Sequence, residues 1–318
     1  MKDLPAMVSV VIVTWNKKQD VVRCLNSVKK SIYPSLEIIV VDNNSTDGTS
    51  GIIEQDFPEV TLIKNPIDLL AAGGRNTGIK YAKGDFIFFL DDDNVVDDNA
   101  ISMLVEIMSG DKEIGIAGPK MYYLKDPQRI WYAGSDISLI TGKTGYVGLN
   151  EIDAFQYESI RETGHVPNAF LVRREAIEAI KGFDESYVMF YEESDFAFRV
   201  KKCNFKVVFC PQARVWHNVL PPVCGRFFTL GLGSPERAYY ASRNRAVYMK
   251  RHANIVCFLF FLISFFPATI IFYIWHTLGL NRYDLLKTYL IGSWDGLIFG
   301  ITGKLRDRQK SRQGHVKR

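Results

Sequence analysis

Residues 86–94 read FIFFLDDDN, an apolar run that stops at three adjacent aspartates. A short apolar run of this kind is typical of a buried strand. Three neighbouring carboxylates repel one another unless a cation lies among them. Either Asp91, Asp92 and Asp93 surround a divalent metal that binds nucleotide phosphates, or they form an acidic turn or a helix start with Asp98 or Asn99 as N-cap.

Apolar runs alternate with helical patterns around this stretch. Strands are predicted at 8–14, 37–42, 60–64 and 86–90, with a helix over 71–81. The alternation predicts an α/β fold whose mostly parallel sheet is covered on both faces. Ligands of such sheets bind at the carboxyl ends of the strands. The polar residues that follow the strands are at 14–16, 42–44 and 91–93.

The second half of the chain is less regular. Its predicted elements are strands at 114–119, 166–172 and 206–209, a helix at 175–180 and a loop-rich insertion at 127–161. The insertion carries no decisive motif, and we expect it to shape the choice of acceptor.

Composition limits the function classes. With 318 residues and 47% hydrophobic content, the chain is long and apolar enough for one or two folded domains. Five cysteines without a C-x-x-C pair argue against a disulfide framework or a zinc ribbon. The N-terminus predicts no signal peptide, so we expect the bulk of the protein on the cytosolic side. The body of the chain has no basic face with interleaved aromatic residues, which argues against nucleic acid as a partner.

The C-terminal region carries the membrane signals. Residues 253–275 contain no charge and would extend roughly 34 Å as a helix, against about 30 Å of bilayer hydrocarbon. A membrane helix is favoured over a buried core helix, and Pro267 makes a kinked or re-entrant helix as plausible as a straight one. An apolar stripe over 285–301 predicts a second, interfacial helix. The basic tail 304–318 is either a solvated terminus or a segment attracted to anionic lipid headgroups.

The ordered motifs resemble those of the family 2 glycosyltransferases. They are VSVVIVTWN, EIIVVDNNSTDGT, GGRNTGI before GDFIFFLDDD, FDESYVMFYEESDFAFRV and PQARVWH, within residues 8–252. The resemblance is to the membrane-associated, rhamnosyltransferase-like members that act on polyprenyl-linked glycans. It implies the GT-A nucleotide-diphospho-sugar transferase fold. It divides the chain into a GT-A domain at 1–252, with a nucleotide-binding half at 1–120 and an acceptor half at 121–252, then membrane-associated helices at 253–303 and the tail.

The resemblance also implies a metal site and a base. Asp91, Asp93 and His217 would hold Mg²⁺ or Mn²⁺, and Asp92 would face the ribose or the donor sugar. A structural histidine is the alternative for His217. Glu193 falls where the family has its catalytic base, commonly aspartate, so that Glu192 or Asp195 could share the role. Acids at a helix start are the structural alternative for this acidic segment.

The remaining implied contacts are with the donor and the acceptor. Asp42 would read the nucleotide base. The residues that would line the same pocket or approach the diphosphate are Thr14, Asn16, Asn44, Gly73, Gly74, Arg75 and Asn76. The alternative for Gly73 and Gly74 is an ordinary tight turn. Arg243 and Asn244 would hold the phosphate of a lipid-linked acceptor, or merely attract lipid headgroups.

The sequence therefore predicts an inverting, metal-dependent glycosyltransferase with its catalytic domain in the cytosol and its C-terminal helices at the membrane. Its donor would be a UDP- or dTDP-linked sugar, and its acceptor a membrane-linked glycan or polyprenyl lipid. Gln212 to Trp216 depart from the Q-x-x-R-W spacing of processive synthases, which predicts a single addition. A non-catalytic nucleotide-sugar binding protein and a nucleotide-sugar hydrolase are the alternatives.

Overall fold

The computed structural model describes residues 5–221 and 233–305. Within them the chain forms two compact units. The first comprises 5–136, 145–188 and 192–221, and the second comprises 137–144, 189–191 and 233–305. Cys224 and most of the predicted basic tail lie outside the described residues.

The first unit is built on one mixed sheet. Its strands and those of a small hairpin are β1 (Val8–Thr14), β2 (Leu36–Asp42), β3 (Thr61–Lys64), β4 (Phe86–Asp91), β5 (Asn94–Val96), β6 (Ile114–Tyr123), β7 (Asp126–Tyr132), β8 (Ser135–Ile137), β9 (Thr144–Tyr146), β10 (Arg161–Glu162), β11 (Ala169–Arg173) and β12 (Lys206–His217). Its helices are α1 (Lys18–Val28), α2 (Thr49–Asp56), α3 (Leu70–Tyr81), α4 (Ala100–Gly110), α5 (Arg174–Ile180) and α6 (Glu192–Lys202).

The strand order is β10-β12-β6-β11-β4-β1-β2-β3, with β5 on β12 and β7 on β6. The neighbours β3, β2, β1 and β4 are all parallel, whereas β11 runs antiparallel between β4 and β6. Strands β1 and β4 are continuous apolar runs because both faces of the sheet are covered, and their residues form the centre of the core. The prediction of a mostly parallel α/β sheet is confirmed.

Two local expectations are corrected. The segment at 127–161 is not only loop, because β7 pairs antiparallel with β6 and buries Ile130, Trp131 and Tyr132. The aspartate triplet is not a helix start either. Strand β4 ends at Asp91, a turn follows, and α4 begins only after Asn99, whose side chain makes no capping hydrogen bond.

The second unit is helical. It contains α7 (Pro235–His252), α8 (Ile255–Phe260), a π-helical turn (Phe261–Phe265), α9 (Phe266–Gly279) and α10 (Tyr283–Thr302). The stretch Ile255–Gly279 is the one described helix long and apolar enough to cross a membrane, and little of it is buried. Pro267 follows the π-helical turn, where the regular helical hydrogen bonding is already interrupted.

Helices α7 and α10 pack closely because both present small residues. A Cβ added at Gly292 would lie 2.3 Å from Ser242 Oγ, and one at Gly296 would lie 2.9 Å from Cβ of Ala246. Asp295, which interrupts the apolar pattern of α10, is buried and accepts a hydrogen bond from Tyr239. Contacts thus group α7 with the C-terminal helices, whereas the predicted division placed it before a boundary at 252.

Candidate active site

Three strand ends meet at one edge of the parallel part of the sheet. In the register of the sheet, Thr14 of β1 lies opposite Asp42 of β2, and Val13 lies opposite Asp91 of β4. The aspartate triplet therefore lies beside the end of β1, as the strand pattern predicted. Trp15, which directly follows β1, is half exposed, so this edge of the sheet is accessible to solvent.

The carboxyl of Asp92, in the middle of the triplet, is buried. Its Oδ2 accepts a hydrogen bond of 2.7 Å from Thr14 Oγ1. Burial, with a smaller contribution from Asp93 and Asp91, raises the pKa of Asp92 to about 8, although the Thr14 hydroxyl opposes the rise. A nearby cation would relieve this accumulation of charge.

Arg75 joins the triplet to the predicted base. Its Nη2 lies 2.7 Å from Oδ1 of Asp91 and 2.8 Å from Oε1 of Glu193. The guanidinium is 2% exposed, and its Cζ lies 5.6 Å and 5.4 Å from the ring centroids of Phe170 and Phe183. Arg75, the predicted diphosphate contact, is thus a buried cation that pairs with two carboxylates of the site.

Glu193 lies in the first turn of α6, at the centre of this network. Its Oε1 also accepts a 2.9 Å hydrogen bond from the backbone amide of Asn168. Burial raises the pKa of Glu193 to about 7, with Glu192 and Asp91 adding to the rise and Arg75 opposing it. A carboxyl with a pKa near neutrality is suited to general base catalysis.

Asn168 is a site residue that the sequence did not reveal. It has a positive φ of 59°, its amide binds Glu193, and its carbonyl accepts a 2.9 Å hydrogen bond from the amide of Asp91. Its side-chain nitrogen lies 3.2 Å from Nδ1 of His217. A lone Asn after Pro167 gives no periodic signal, so only the fold reveals these contacts.

Asp93 and His217 come together as the resemblance implied. Nε2 of His217 lies 3.2 Å from Oδ1 of Asp93. Burial raises the pKa of Asp93, but His217 outweighs it and holds that pKa below its usual range. Apart from this contact with His217, Oδ1 of Asp93 is buried without a hydrogen-bond donor among the described residues.

These two side chains fit a divalent cation only in part. Carboxylate oxygen and imidazole nitrogen are suitable ligands for such an ion. Within 5–221 and 233–305, however, no three His, Cys, Asp or Glu side chains are grouped to hold a metal. Asp91, the other predicted ligand, pairs with Arg75. Further ligands would have to come from a bound substrate.

The residues predicted to contact the nucleotide form a turn network at the ends of β1 and β2. Asp42 accepts hydrogen bonds from the amide of Ser45 and from the hydroxyl of Ser50. Oδ1 of Asn16 accepts from the amide of Thr46 at 2.7 Å. Asn44 is exposed with a positive φ of 65°. These contacts hold the turn beside the aspartate triplet.

Helix α3 contributes packing as well as Arg75. A Cβ at Gly74 would lie 2.4 Å from Val13 of β1, so the glycine allows close contact between helix and strand. Asn76 binds the segment before α6: it donates to the carbonyl of Phe183 and to Glu185 and accepts from the amide of Phe183. Both residues thus have a structural role independent of any ligand.

The two acids beside Glu193 differ. Glu192 begins α6, and its charge contributes to the raised pKa of Glu193. Asp195 is buried and forms a 2.7 Å ion pair with Nε of Arg199, which itself binds the carbonyls of Ile180 and Gly182. Asp195 therefore pairs with Arg199, which connects α6 to the preceding turn.

Arg243 and Asn244 belong to the second unit, and both are buried in α7. The Arg243 guanidinium lies over the rings of Tyr240 and Tyr239, at 4.7 Å and 5.7 Å. Asn244 donates to the backbone carbonyls of Met189 and Phe190. The predicted phosphate ligands thus make extensive internal contacts.

Comparison with known proteins identifies the family. The model of glycosyl transferase family 2 matches residues 9–181, more than half of the chain. The chain belongs to this family. The matched region contains β1 to β4, the aspartate triplet and Arg75, but it ends before Glu193 and His217.

Curated relatives agree with this assignment. The UDP-Glc:alpha-D-GlcNAc-diphosphoundecaprenol beta-1,3-glucosyltransferase WfgD of Escherichia coli is 34% identical over 103 residues, 32% of this chain and 41% of WfgD. The amylovoran biosynthesis glycosyltransferase AmsB of Erwinia amylovora is 26% identical over 225 residues, covering 67% of this chain and 69% of AmsB. The match thus spans less than half the length of WfgD.

Solved structures share the fold. GalNAc-T7, solved with UDP, GalNAc and Mn²⁺, is similar with a TM-score of 0.59 at 18% identity, over 77% of this chain and 51% of GalNAc-T7. The predicted GT-A fold is confirmed by this likeness together with the family match.

Proposed function

We propose that this protein is an inverting glycosyltransferase that moves one sugar from a nucleoside diphosphate donor to a membrane-linked glycan or polyprenyl lipid. The observation that carries the proposal is Glu193, a buried carboxyl with a pKa near 7 that shares Arg75 with the aspartate triplet. A base and a diphosphate site must be adjacent for such a transfer, because the bonds made and broken share one carbon atom.

The proposed reaction is a single nucleophilic displacement at the anomeric carbon of the donor sugar. The acceptor hydroxyl gives its proton to the Glu193 carboxylate while its oxygen attacks the anomeric carbon, and the bond from that carbon to the diphosphate oxygen breaks. Attack opposite the leaving group inverts the configuration. Arg75 and the Asn168 amide hold Glu193 in place, and the raised pKa gives its carboxylate enough basicity to accept the proton.

The donor half of the proposal rests on the triplet and its neighbours. Asp93 and His217 would hold Mg²⁺ or Mn²⁺, and when bound such a cation supplies positive charge to the diphosphate leaving group. Asp92 would face the ribose or the donor sugar, while the turn around Asp42 would contact the nucleotide base. GalNAc-T7 binds UDP and Mn²⁺, which supports a UDP-linked or similar donor.

The acceptor half rests on the relatives and the C-terminal helices. WfgD acts on a diphosphoundecaprenol-linked sugar, which supports a lipid-linked acceptor. On the helix Ile255–Gly279, Val256, Ile263 and Trp275 are 73%, 78% and 72% exposed, so much apolar surface is available for a bilayer. We infer membrane attachment through this helix, with the donor taken from the cytosol.

The test is transfer by Glu193→Gln, which keeps the shape of the side chain but cannot accept the proton. We expect kcat to fall by about 10²–10⁴-fold, with donor binding retained. Glu106→Gln, a change at an exposed residue of α4, is the control and should keep wild-type activity. Wild-type kcat in Glu193→Gln would assign the base to another residue, and loss of donor binding would indicate a structural role.

A further inference from the structure

The segment just before the proposed base has an unusual backbone. Val188, Phe190 and Tyr191 all have positive φ, at 64°, 65° and 68°. Side chains other than glycine rarely adopt such values, and a β-branched residue such as valine is especially disfavoured there. Three of four consecutive residues therefore hold a conformation that surrounding contacts must maintain.

Asn244 of α7 supplies two of those contacts within the second unit. Its Nδ2 donates to the carbonyls of Met189 at 2.7 Å and Phe190 at 3.0 Å. Its Oδ1 accepts from Nε of Arg243 at 2.8 Å, which fixes the orientation of the amide. The side chain is fully buried. Both amide protons of one residue thus bind two successive carbonyls of residues 189–191.

A second set of contacts holds the same segment from the hairpin tip 137–144. The Tyr191 hydroxyl donates to the carbonyl of Gly142 at 2.6 Å, and Nε of Arg245 lies 3.4 Å from that hydroxyl. Gly142 has a φ of 64°, and a Cβ there would lie 2.8 Å from Cγ of Arg245. Helix α7 thus contacts both 189–191 and the tip of the hairpin.

We propose that Asn244 is a positioning residue for catalysis: it fixes the backbone of Met189, Phe190 and Tyr191, from which the chain runs directly into Glu192 and Glu193. Only one residue separates Tyr191 from Glu193, so a change in this backbone is transmitted to the carboxylate through covalent geometry. This inference rests on the proposed role of Glu193 as base. It also gives Asn244 a role different from the predicted phosphate contact.

The experiment compares Asn244→Ala with Ser242→Ala in the full-length protein. Ser242 is a matched control because it is also buried in α7 and its hydroxyl binds the carbonyls of Tyr239 and Tyr289, away from residues 189–191. We expect Asn244→Ala to lower kcat by about 100-fold, the cost of a displacement of about 1 Å, with the donor KM unchanged. Ser242→Ala should change thermal stability but not kcat.

Hydrogen exchange gives a readout that does not depend on activity. In Asn244→Ala, amides of residues 188–193 should exchange faster, and those of β1 and β4 should keep their protection. Tyr191→Phe removes the contacts of the hydroxyl with Gly142 and Arg245 but keeps those of Asn244, so it should show the same changes to a smaller extent. It also provides the test if Asn244→Ala does not fold.

The outcomes separate the two proposals. If Glu193→Gln abolishes transfer while folded Asn244→Ala and Tyr191→Phe keep wild-type kcat and exchange, the positioning role is overturned. An equal fall of kcat in Ser242→Ala would also overturn it, because the effect would then be general to α7. If Glu193→Gln is active, the proposed base is wrong, and faster exchange at 188–193 would then establish only the structural contact.

Discussion

Two groups of charged residues in the first unit, each around a buried cation, differ in how many of the cation's hydrogen-bond donors have an acceptor. In one, Nζ of Lys120 lies 3.0 Å and 2.9 Å from the two oxygens of Asp153 and 2.6 Å from Glu158. The Tyr122 hydroxyl also donates to Asp153 at 2.6 Å. All three protons of the ammonium group have acceptors. Burial raises the pKa of Asp153, but the Tyr122 and Lys120 contacts outweigh it and lower that pKa overall.

The group around the aspartate triplet is incomplete by comparison. Arg75 uses one nitrogen for both Asp91 and Glu193, while its buried Nη1 has no hydrogen-bond partner among the described residues. The pKa values of Asp92 and Glu193 are raised to about 8 and 7, so their charged forms are disfavoured. Unsatisfied buried polar atoms cost stability, and such costs are typical of sites that bind a ligand.

The comparison teaches that buried charge alone does not indicate function. The Lys120 group is complete within the protein and stabilises the fold. In the triplet group, Nη1 of Arg75 has no partner within the described part of the chain, and we propose that the bound donor completes this group. Mutations should therefore have different consequences in the two groups. Changes in the triplet group should lower activity, and changes in the Lys120 group should lower stability.

The largest contrast is expected between Asp93→Asn and Asp153→Asn. The first should lower kcat by about 10²–10³-fold, because it removes a carboxylate proposed to hold the cation that would stabilise the leaving group, with little change in thermal stability. The second should lower the free energy of unfolding by about 2–3 kcal/mol and keep kcat, because Lys120 loses one of two partners. Transfer assays and chemical denaturation measure both. Retained activity in Asp93→Asn would contradict this comparison, because the triplet group would then contribute to stability alone, like the Lys120 group.

Arg75→Lys tests whether the shared guanidinium matters for chemistry. Lysine keeps the charge but presents a point charge instead of a planar fork, so the paired geometry at Glu193 is lost. We expect kcat to fall by about 10–100-fold. Arg129→Lys, at the partly exposed pair with Asp126, is the matched control and should leave kcat unchanged. Equal effects of the two variants would argue against a special role for Arg75.

His165 lies outside both charged groups and should make the stability of the first unit depend on pH. It is a buried ionisable group that is held in its neutral form. Burial lowers its pKa to about 3, and its Nδ1 lies 2.8 Å from the Ser135 hydroxyl. Between about pH 6.5 and 3 the unfolded chain binds a proton that the folded state rejects, so stability falls as pH falls, by up to about 1.4 kcal/mol per unit. Denaturation across this window should show a weaker dependence in His165→Asn. An unchanged dependence would show that other groups cause it.

The smallest effect is expected from Thr14→Val, compared with Ser9→Ala. Each removes a hydroxyl of β1 that donates to a carboxylate, Asp92 in the first case and Glu37 in the second. Both should lower the free energy of unfolding by about 1 kcal/mol. Only Thr14→Val should raise the donor KM, by a few-fold, because only Asp92 is proposed to contact the donor. A raised donor KM in Ser9→Ala would show that the assay reports stability.

The sequence predicted the parallel half of the sheet well, because strands buried on both faces are continuous apolar runs. Strand β1 has the predicted bounds, and the aspartates lie at the end of β4 as expected, with Asp91 in the strand and Asp92 and Asp93 in the turn after it. It did not predict β7, which extends the sheet beside β6 and whose apolar part is short. A short mixed pattern gives no clear period of two.

The sequence predicted which residues form the candidate site, but not which of them contact each other. Asp93 and His217 come together as implied, yet the pairing of Arg75 with Glu193 joins residues 118 positions apart and has no local signal. Asn168 was missed because its role depends on backbone groups. For Asn244, residue type indicated a polar contact, and only the fold identifies the carbonyls that it binds.

The most direct test of direct displacement with Glu193 as base is the anomeric configuration of the product. NMR of the purified product, formed by wild-type protein from a donor of known configuration, distinguishes the two outcomes. A single displacement by a hydroxyl predicts that every transferred sugar has the opposite anomeric configuration to the donor. Retention of the donor configuration would contradict the account.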